Sequence, residues 1–372
     1  MEERRPNDSL FRPVRHRSPD GAVVFRRVTP RFNNATGVTL DLPSELGDVL
    51  LGVYVTLPMR RTGVSYYPME RVIKTAVLTV GGVAVAGYDT EYARLHDEVF
   101  RKTDSRMAYR EMTDFTSQPV GATKKLLVPL LFDPFVSRVG LPLAALQYTE
   151  VAITLDLELV VPGVSFDVRD LECFAEVEVV DGPERMRLAT TPHKIQFKQV
   201  QMFETQVDPS DVEQKTTPLI QLPFSNPISS VLFALCGAKH GVYASNDLGL
   251  ENDEVYGPVS QARLLMDNVD AIEYRDAVSL RLLEGLRGLA QAPSVGIYAI
   301  HFAERPDASV PTGTVNASRV KLDLQLVLKK MVDVIDDPET QTRRHSLRRL
   351  KVYALSWNAL IVKDGLGGLA FL

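Results

Sequence analysis

"GLPLAALQYTEVAITLDL", residues 140 to 157, joins two kinds of sequence. A compact turn around Pro142 comes first, because proline fixes its own φ and restricts the residue before it. Then Val151, Ile153, Leu155 and Leu157 alternate with Ala152, Thr154 and Asp156, the period of a strand that turns one face to a core. The same alternation recurs at 172 to 180 (ECFAEVEVV) and at 318 to 328, where Val320, Leu322, Leu324, Leu326 and Leu328 share a face. Further strands are predicted at 49 to 57, 71 to 80, 125 to 132, 195 to 203, 229 to 237, 294 to 303 and 351 to 362, most of them bounded by Gly, Pro, Asn or Asp. Two segments break the pattern. TEYARLHDEVF (90 to 100) spaces Tyr92, Leu95 and Val99 helically behind Asp89, and DAVSLRLLEGLRGLA (276 to 290) does so with Leu282, Leu286 and Leu289. Both read as short helices inside loops.

A chain of 372 residues with 45% hydrophobic content can bury a large core and is long enough for two domains. Strands dominate both halves without alternating helices, which argues for two antiparallel sandwiches over a parallel sheet. The polar stretch DGPERMRLATTPHK (181 to 194) separates them. The predicted division is a basic flexible arm over 1–30, a first sandwich over 31–182, a linker over 183–194 and a second sandwich over 195–372. Residues 1 to 31 carry eight arginines against four acids while the whole chain sums to −5, so a basic arm precedes a mildly acidic body. Prolines 6, 13 and 19 interrupt that arm and exclude a long helix. Two cysteines, Cys173 and Cys236, cannot make a disulfide framework and point to a reducing compartment. The opening residues lack an apolar core of the signal-peptide kind, and no run of 18 uncharged apolar residues occurs, so neither secretion nor membrane spanning is indicated.

The search for chemistry finds no catalytic residue, no cofactor-binding residue and no metal ligand set. The six histidines, at 16, 96, 193, 240, 301 and 345, show no metal spacing. DGLGGLAF (364 to 371) has no helix after it to supply amide donors to a phosphate and reads as a flexible terminal segment. Glu176 and Glu178 could pair as acid and base, but they fall on the solvent half of an alternating strand, a wet face. RRHSLRRLK (343 to 351) follows DVIDDPET, so its charges pair or solvate a loop. The sequons at Asn34 and Asn316 are short enough to arise by chance.

"LPLAALQYTEVAI" (141 to 153) closely resembles the LPLIALQYHEV phrase of major capsid proteins from the nucleocytoplasmic large DNA viruses. The order continues: "RVIKTAVLTVGGVAVAGYDTEYARLHDEV" (71 to 99) resembles the family's strand, IGG turn and short helix, and "LLVPLLF" (126 to 132) precedes the signature. "RLLMDNVDAIEYRDA" (263 to 277), "GIYAIHFAERPDASVPTGTVNASRV" (296 to 320) and "YALSWNALIVKDGLGGLAF" (353 to 371) resemble its later blocks. Thr149 stands where the family phrase has histidine, Val80 precedes the glycine pair in place of isoleucine, and the chain is shorter than usual.

The resemblance implies an all-β double jelly roll: two consecutive eight-stranded antiparallel sandwiches, with short helices in loops. It further implies a non-enzymatic structural protein that trimerises into pseudo-hexameric capsomers tiling the icosahedral shell of a large DNA virus. Such a protein would be assembled in the host cytoplasm and would contact neighbouring capsomers and minor capsid proteins, with no small-molecule substrate. A minor capsid or scaffold protein would share the fold. A carbohydrate-binding or carbohydrate-active sandwich would need an aromatic platform, and the one tryptophan, Trp357, lies in a strand that reads as core. The arm would seek anionic surfaces such as an internal membrane or acidic neighbouring proteins, or would be a solubilising tail.

Overall fold

Ten strands run through the described residues of the first half of the chain. They are β1 (Ala22–Val28), β2 (Arg31–Phe32), β3 (Gly37–Asp41), β4 (Val49–Arg61), β5 (Ile73–Val80), β6 (Val83–Asp89), β7 (Thr123–Pro129), β8 (Val151–Leu157), β9 (Val164–Ser165) and β10 (Glu172–Val179). The computed structural model describes residues 21–115, 118–207, 214–236, 258–276, 279–283, 293, 296–329 and 348–371. One antiparallel sheet has the order β1-β10-β4-β7 with β9 on the end of β4, and the other has β2-β3-β8-β5-β6. Numbering the eight longer strands along the chain gives 1-8-3-6 for one sheet and 2-7-4-5 for the other, the winding of a jelly roll.

The second half repeats it with β11 (His193–Val207), β12 (Lys215–Thr216), β13 (Ile220–Leu222), β14 (Pro227–Cys236), β15 (Val259–Met266), β16 (Val269–Asp276), β17 (Ile297–His301), β18 (Val315–Asn316), β19 (Leu322–Leu328), β20 (Arg348–Lys363) and β21 (Leu366–Leu369). One sheet is β11-β20-β14-β17, with β18 on β14 and β21 on β20. In the other, β12 and β13 both pair with β19, which leads to β15 and β16. With β12 and β13 taken as one interrupted strand, the orders are again 1-8-3-6 and 2-7-4-5. The fold is a double jelly roll.

Each half has its own apolar layer, built from the inward residues of alternating strands. Leu40, Val53, Val55, Leu78, Ile153, Leu155, Ala175 and Val177 belong to the first, and Val231, Phe233, Leu264, Leu324, Leu326, Val352 and Ala354 to the second. The first layer is completed by the second half, because Ile195 and Phe197 of β11 and Leu360 and Val362 of β20 are buried in it. Among the described residues, five α-helices sit in connections: α1 (Pro68–Val72), α2 (Thr90–Phe100), α3 (Thr103–Thr113), α4 (Asp133–Val136) and α5 (Gly182–Thr190).

The signature phrase is a fastening. Leu50 and Leu141 exchange two backbone hydrogen bonds of 2.8 Å, so the phrase starts beside the first residues of β4. Gly140 has φ +75°, and a Cβ there would lie 2.9 Å from the Leu50 carbonyl oxygen, which excludes a side chain. A 3-10 turn over Leu143–Ala145 follows, with Leu141, Leu143 and Leu146 all buried. Gly81 and Gly82, both at positive φ, form the two-residue β5–β6 turn that a right-twisted hairpin requires, and the Gly81 N–H donates to the Glu150 carbonyl. The Thr149 hydroxyl donates to the Gly365 carbonyl at 3.1 Å and accepts the Gly367 N–H at 3.2 Å. The residue that departs from the family phrase thus ties the signature to the β20–β21 hairpin.

Three expectations are corrected. Residues 22–28 are not part of a flexible arm: they form β1, because Val24 and Val28 pack into the first core, and only residues 1–20 of it lie outside the described residues. Within the stretch 183–194 the chain is helical, since Asp181 caps α5 by accepting the Glu184 N–H at 3.1 Å with Pro183 in the first turn. DGLGGLAF is no flexible tail: Asp364 and Gly365 turn the chain back on β20, and the Ala370 N–H donates to the Ala359 carbonyl at 2.8 Å. Of 343–351, residues 348–351 begin β20 instead of solvating a loop, and 343–347 lie outside the described residues. The helix at 90–100 starts behind Asp89 as predicted; of 276–290, Ser279–Leu283 is a helical turn and 284–290 lies outside the described residues.

Leu146 is buried beneath the hairpin, with Gly367 packed against its side chain. Leu146→Ala should cost about 2 to 5 kcal/mol, read as a lower midpoint in denaturant unfolding. An unchanged midpoint would mean that this fastening carries no load.

Candidate functional site

Among the described residues, no group of three or more His, Cys, Asp or Glu side chains is arranged to hold a metal, and no helix is long and apolar enough to cross a membrane. Ser230 Oγ and His301 Nδ1 lie 2.9 Å apart, a pairing the sequence search missed because 71 residues separate them. Both are buried, and the Phe100 ring meets the imidazole edge-on. His96 is sandwiched by Tyr92 and Phe100, and burial pushes its imidazole down to about 3, so it is neutral at physiological pH. Cys173 is a buried thiol pushed up to about 12 by desolvation, hence inert. The Cys236 side chain lies outside the described residues.

Glu176 and Glu178 are not on a wet face, as the alternation predicted; both are buried. Glu176 accepts hydrogen bonds from the Tyr54 hydroxyl at 2.6 Å and from Arg138 at 2.5 Å. Strand period assigns a residue to a face, and here that face is covered by side chains from β4 and from the residues after α4. Asn34 accepts the N–H groups of Thr36 and Gly37 and so shapes the β2–β3 turn, and Asn316 Oδ1 accepts the Ser318 N–H. Trp357 is buried, with the Lys198 ammonium 5.2 Å from its ring centre, so it offers no platform.

The chemistry of the molecule is concentrated where the halves meet. α2 belongs to the first half by chain order, yet Tyr92, Leu95 and Val99 pack on Leu232 and Ala234 of β14, Ile297 and Ala299 of β17, and Tyr353 and Leu355 of β20. These are the outward positions of the β11-β20-β14-β17 sheet. The Asp89 carboxylate caps α2 by accepting the Tyr92 N–H at 2.9 Å, and it also accepts from Lys351 Nζ and from the Tyr353 hydroxyl, each at 2.8 Å. Lys351 makes a second ion pair with Glu91 and a longer one with Glu204 at 3.5 Å. Burial alone would lower the lysine's proton affinity, but Glu91 and Asp89 outweigh it and hold the ammonium charged.

Behind this contact, α1, α2 and α3 enclose three arginines and three acids. Arg94 meets Glu98 at 2.7 Å, Glu70 at 3.4 Å and Asp97, while Arg101 pairs with Asp97 and Arg106 with Glu98. The Arg94 guanidinium lies 3.8 Å from the centre of the Tyr67 ring and Arg101 3.6 Å from that of Tyr109. Desolvation pushes the Glu70 carboxyl up to about 7 against the pull of Arg94. On the far side of α2, a cleft of about 340 Å³ is lined by His96, Arg101, Asp133, Lys198 and Asp307. Two of its charged groups are already engaged: Lys198 Nζ donates to the carbonyls of Pro306 and Ala308 at 2.9 and 2.7 Å, and the Lys198 backbone N–H donates to Asp133. The arrangement locks one half onto the other.

Two family models match the chain end to end: the major capsid protein N-terminus over residues 22–188, and the large eukaryotic DNA virus major capsid protein over 184–368. The chain is similar to the major capsid protein of Paramecium bursaria Chlorella virus 1, at 25% identity over 98% of this chain and 95% of that one. It is also similar to that of Pyramimonas orientalis virus, at 25% identity over 88% and 84%. Among solved structures, the PBCV-1 virus capsid quasi-atomic model matches with a TM-score of 0.81 at 24% identity, covering 96% of this chain and 98% of that chain.

Lys351→Met should leave Asp89 buried without its cation and Glu91 with only its 3.4 Å pair to Arg349, and cost about 3 kcal/mol. Calorimetry should show a lower melting temperature for the variant; an unchanged one would show that the apolar contacts of α2 suffice.

Proposed function

Because the chain belongs to the large eukaryotic DNA virus major capsid protein family and has that family's structural role in the capsid, we propose that it performs this role as a homotrimer forming a pseudo-hexameric capsomer. The observation that carries this reading is the repeated strand order. Two modules of one topology in each chain turn three chains into a ring of six near-equivalent units, the outline that tiles an icosahedral shell. The proposed division is one jelly roll before α5 and one from β11 onward. Neighbouring capsomers and minor capsid proteins are the proposed partners, and assembly in the host cytoplasm fits the free thiol of Cys173. No catalytic step belongs to this function, and no cofactor or small-molecule substrate enters it.

The basic segment 1–20 precedes β1, whose first residue pairs with Val179 just before α5. Arg4, Arg5, Arg12, Arg15 and Arg17 give it affinity for anionic surfaces, and its proposed role is to fix the capsomer to an internal membrane or acidic protein beneath it.

Light scattering at micromolar concentration should report about three times the 41.3 kDa chain mass. A monomer under those conditions, with no trimer recoverable from particles, would overturn the homotrimer. Removing residues 1–20 should leave trimers intact and lower their incorporation into particles, and normal incorporation would reduce the segment to a solubilising tail.

A further inference from the structure

Along β20 the outward row Tyr353, Leu355, Trp357, Ala359 and Ile361 runs past the end of its cover. α2 packs on Tyr353 and Leu355, whereas Ile361 is 45% exposed. Between them, Trp357 and Ala359 line a groove of about 220 Å³ together with Pro227, Pro311 and Phe371. Pockets that engulf a whole small molecule run to ~300–1,000 Å³. This one has room for a side chain or two of something larger.

Two features mark the groove as built. Asn358 is buried, and its amide holds both backbone groups of Phe371: Nδ2 donates to the carbonyl at 2.8 Å and Oδ1 accepts the N–H at 3.2 Å. A buried amide thus fixes an aromatic residue that is itself 52% exposed. The second feature is Trp357. Its ring is too buried to stack a sugar, and its Nε1–H has no acceptor among the described residues. The Lys198 ammonium, 5.2 Å from the ring centre, is itself a donor. Buried donors are nearly always paired, so an orphan beside an apolar groove signals an acceptor that arrives with an occupant.

That occupant must bring an acceptor and carry no unpaired donor of its own among apolar walls. In a polypeptide, proline meets both demands, since it has a carbonyl and no N–H. In a polyproline II stretch it is also extended before it binds, which suits it to aromatic-lined grooves. Charge fixes the rest. Lys194 stands exposed on the rim, opposite Ile361 in the strand pairing, with no ion pair among the described residues.

We propose that this groove is a docking site for an extended, acidic, proline-containing segment of a partner protein, whose carbonyl accepts from Trp357 Nε1 and whose carboxylate meets Lys194. The segment 1–20 of this chain has prolines too, but its arginines would face Lys194 with like charge. The inference goes beyond the capsomer, because the groove lies within one chain and is the same in a monomer or a trimer.

Trp357 is the one tryptophan of the chain, so the fluorescence of the full-length protein reports the groove directly. The probe is a capped Asp-Pro-Pro-Pro-Asp peptide, beside versions with alanine for proline and with lysine for aspartate. The first should shift the Trp357 emission saturably, and the other two should bind at least tenfold more weakly. Lys194→Glu, at an exposed position, should fold as the parent does and reverse the preference toward the lysine version. Phe371→Ala should weaken binding about tenfold at an unchanged melting temperature. Trp357→Phe, followed through a fluorophore on the peptide, should weaken it about three- to tenfold, the worth of one hydrogen bond. The absence of a saturable shift overturns the site, as does equal binding of the alanine peptide or a preference that Lys194→Glu leaves unchanged. A shift with phosphatidylserine vesicles and none with peptide would assign the groove to lipid and overturn it as well.

Discussion

The ion pairs from Lys351 to Asp89 and Glu91 hold the molecule at its least redundant point. One carboxylate, that of Asp89, ends β6, starts α2 and anchors both to β20 of the other half. Were it absent, α2 would lose its cap and the second sheet would lose the cover over Leu232, Ala299 and Tyr353. Buried ion pairs add little stability over apolar substitutes because desolvation offsets their attraction. What they do supply is a single geometry, since an apolar helix face could slide on an apolar sheet whereas a three-way contact at one carboxylate cannot.

The same logic accounts for the three arginines and three acids among α1, α2 and α3. An enzyme places shifted groups around an open site; here Glu70, Asp97 and Glu98 face Arg94, Arg101 and Arg106 in a closed set. A subunit that must match its neighbours repeatedly over a shell benefits from connections that do not drift, and charge pairing without water gives loops the definition that strands take from their ladders.

Much of this was legible in the sequence where the signal was local. Period-two alternation located β8, β10 and β19, and the aspartate before 90–100 marked the start of α2. The family phrase carried the step from two sandwiches to a double jelly roll with a capsid role, which spacing alone did not contain. The failures were all long-range. Glu176 was placed on the correct face, but its burial depends on Tyr54, 122 residues away, and Arg138, 38 away. Lys351 was read with its acidic sequence neighbours, while its partner Asp89 lies 262 residues back. DGLGG reads as flexible until Thr149 is set against it, 216 residues from Gly365. The seam was invisible because neither of its sides has a pattern that refers to the other.

The β20–β21 hairpin and the order of synthesis together impose a delay. The first core is composed chiefly of residues 28–177, yet Leu360, Val362 and Leu369 complete it. At 5–20 residues per second, a ribosome needs roughly ten to forty seconds to travel from the end of β10 to β21. Throughout that interval the amino-terminal half has most of its strands but not its closing wall, and it exposes the slot around Val80 and Leu146 that Gly367 later fills. A translation product that stops short of residue 360 lacks that wall and keeps the slot open, so completion of the first core is tied to full-length synthesis.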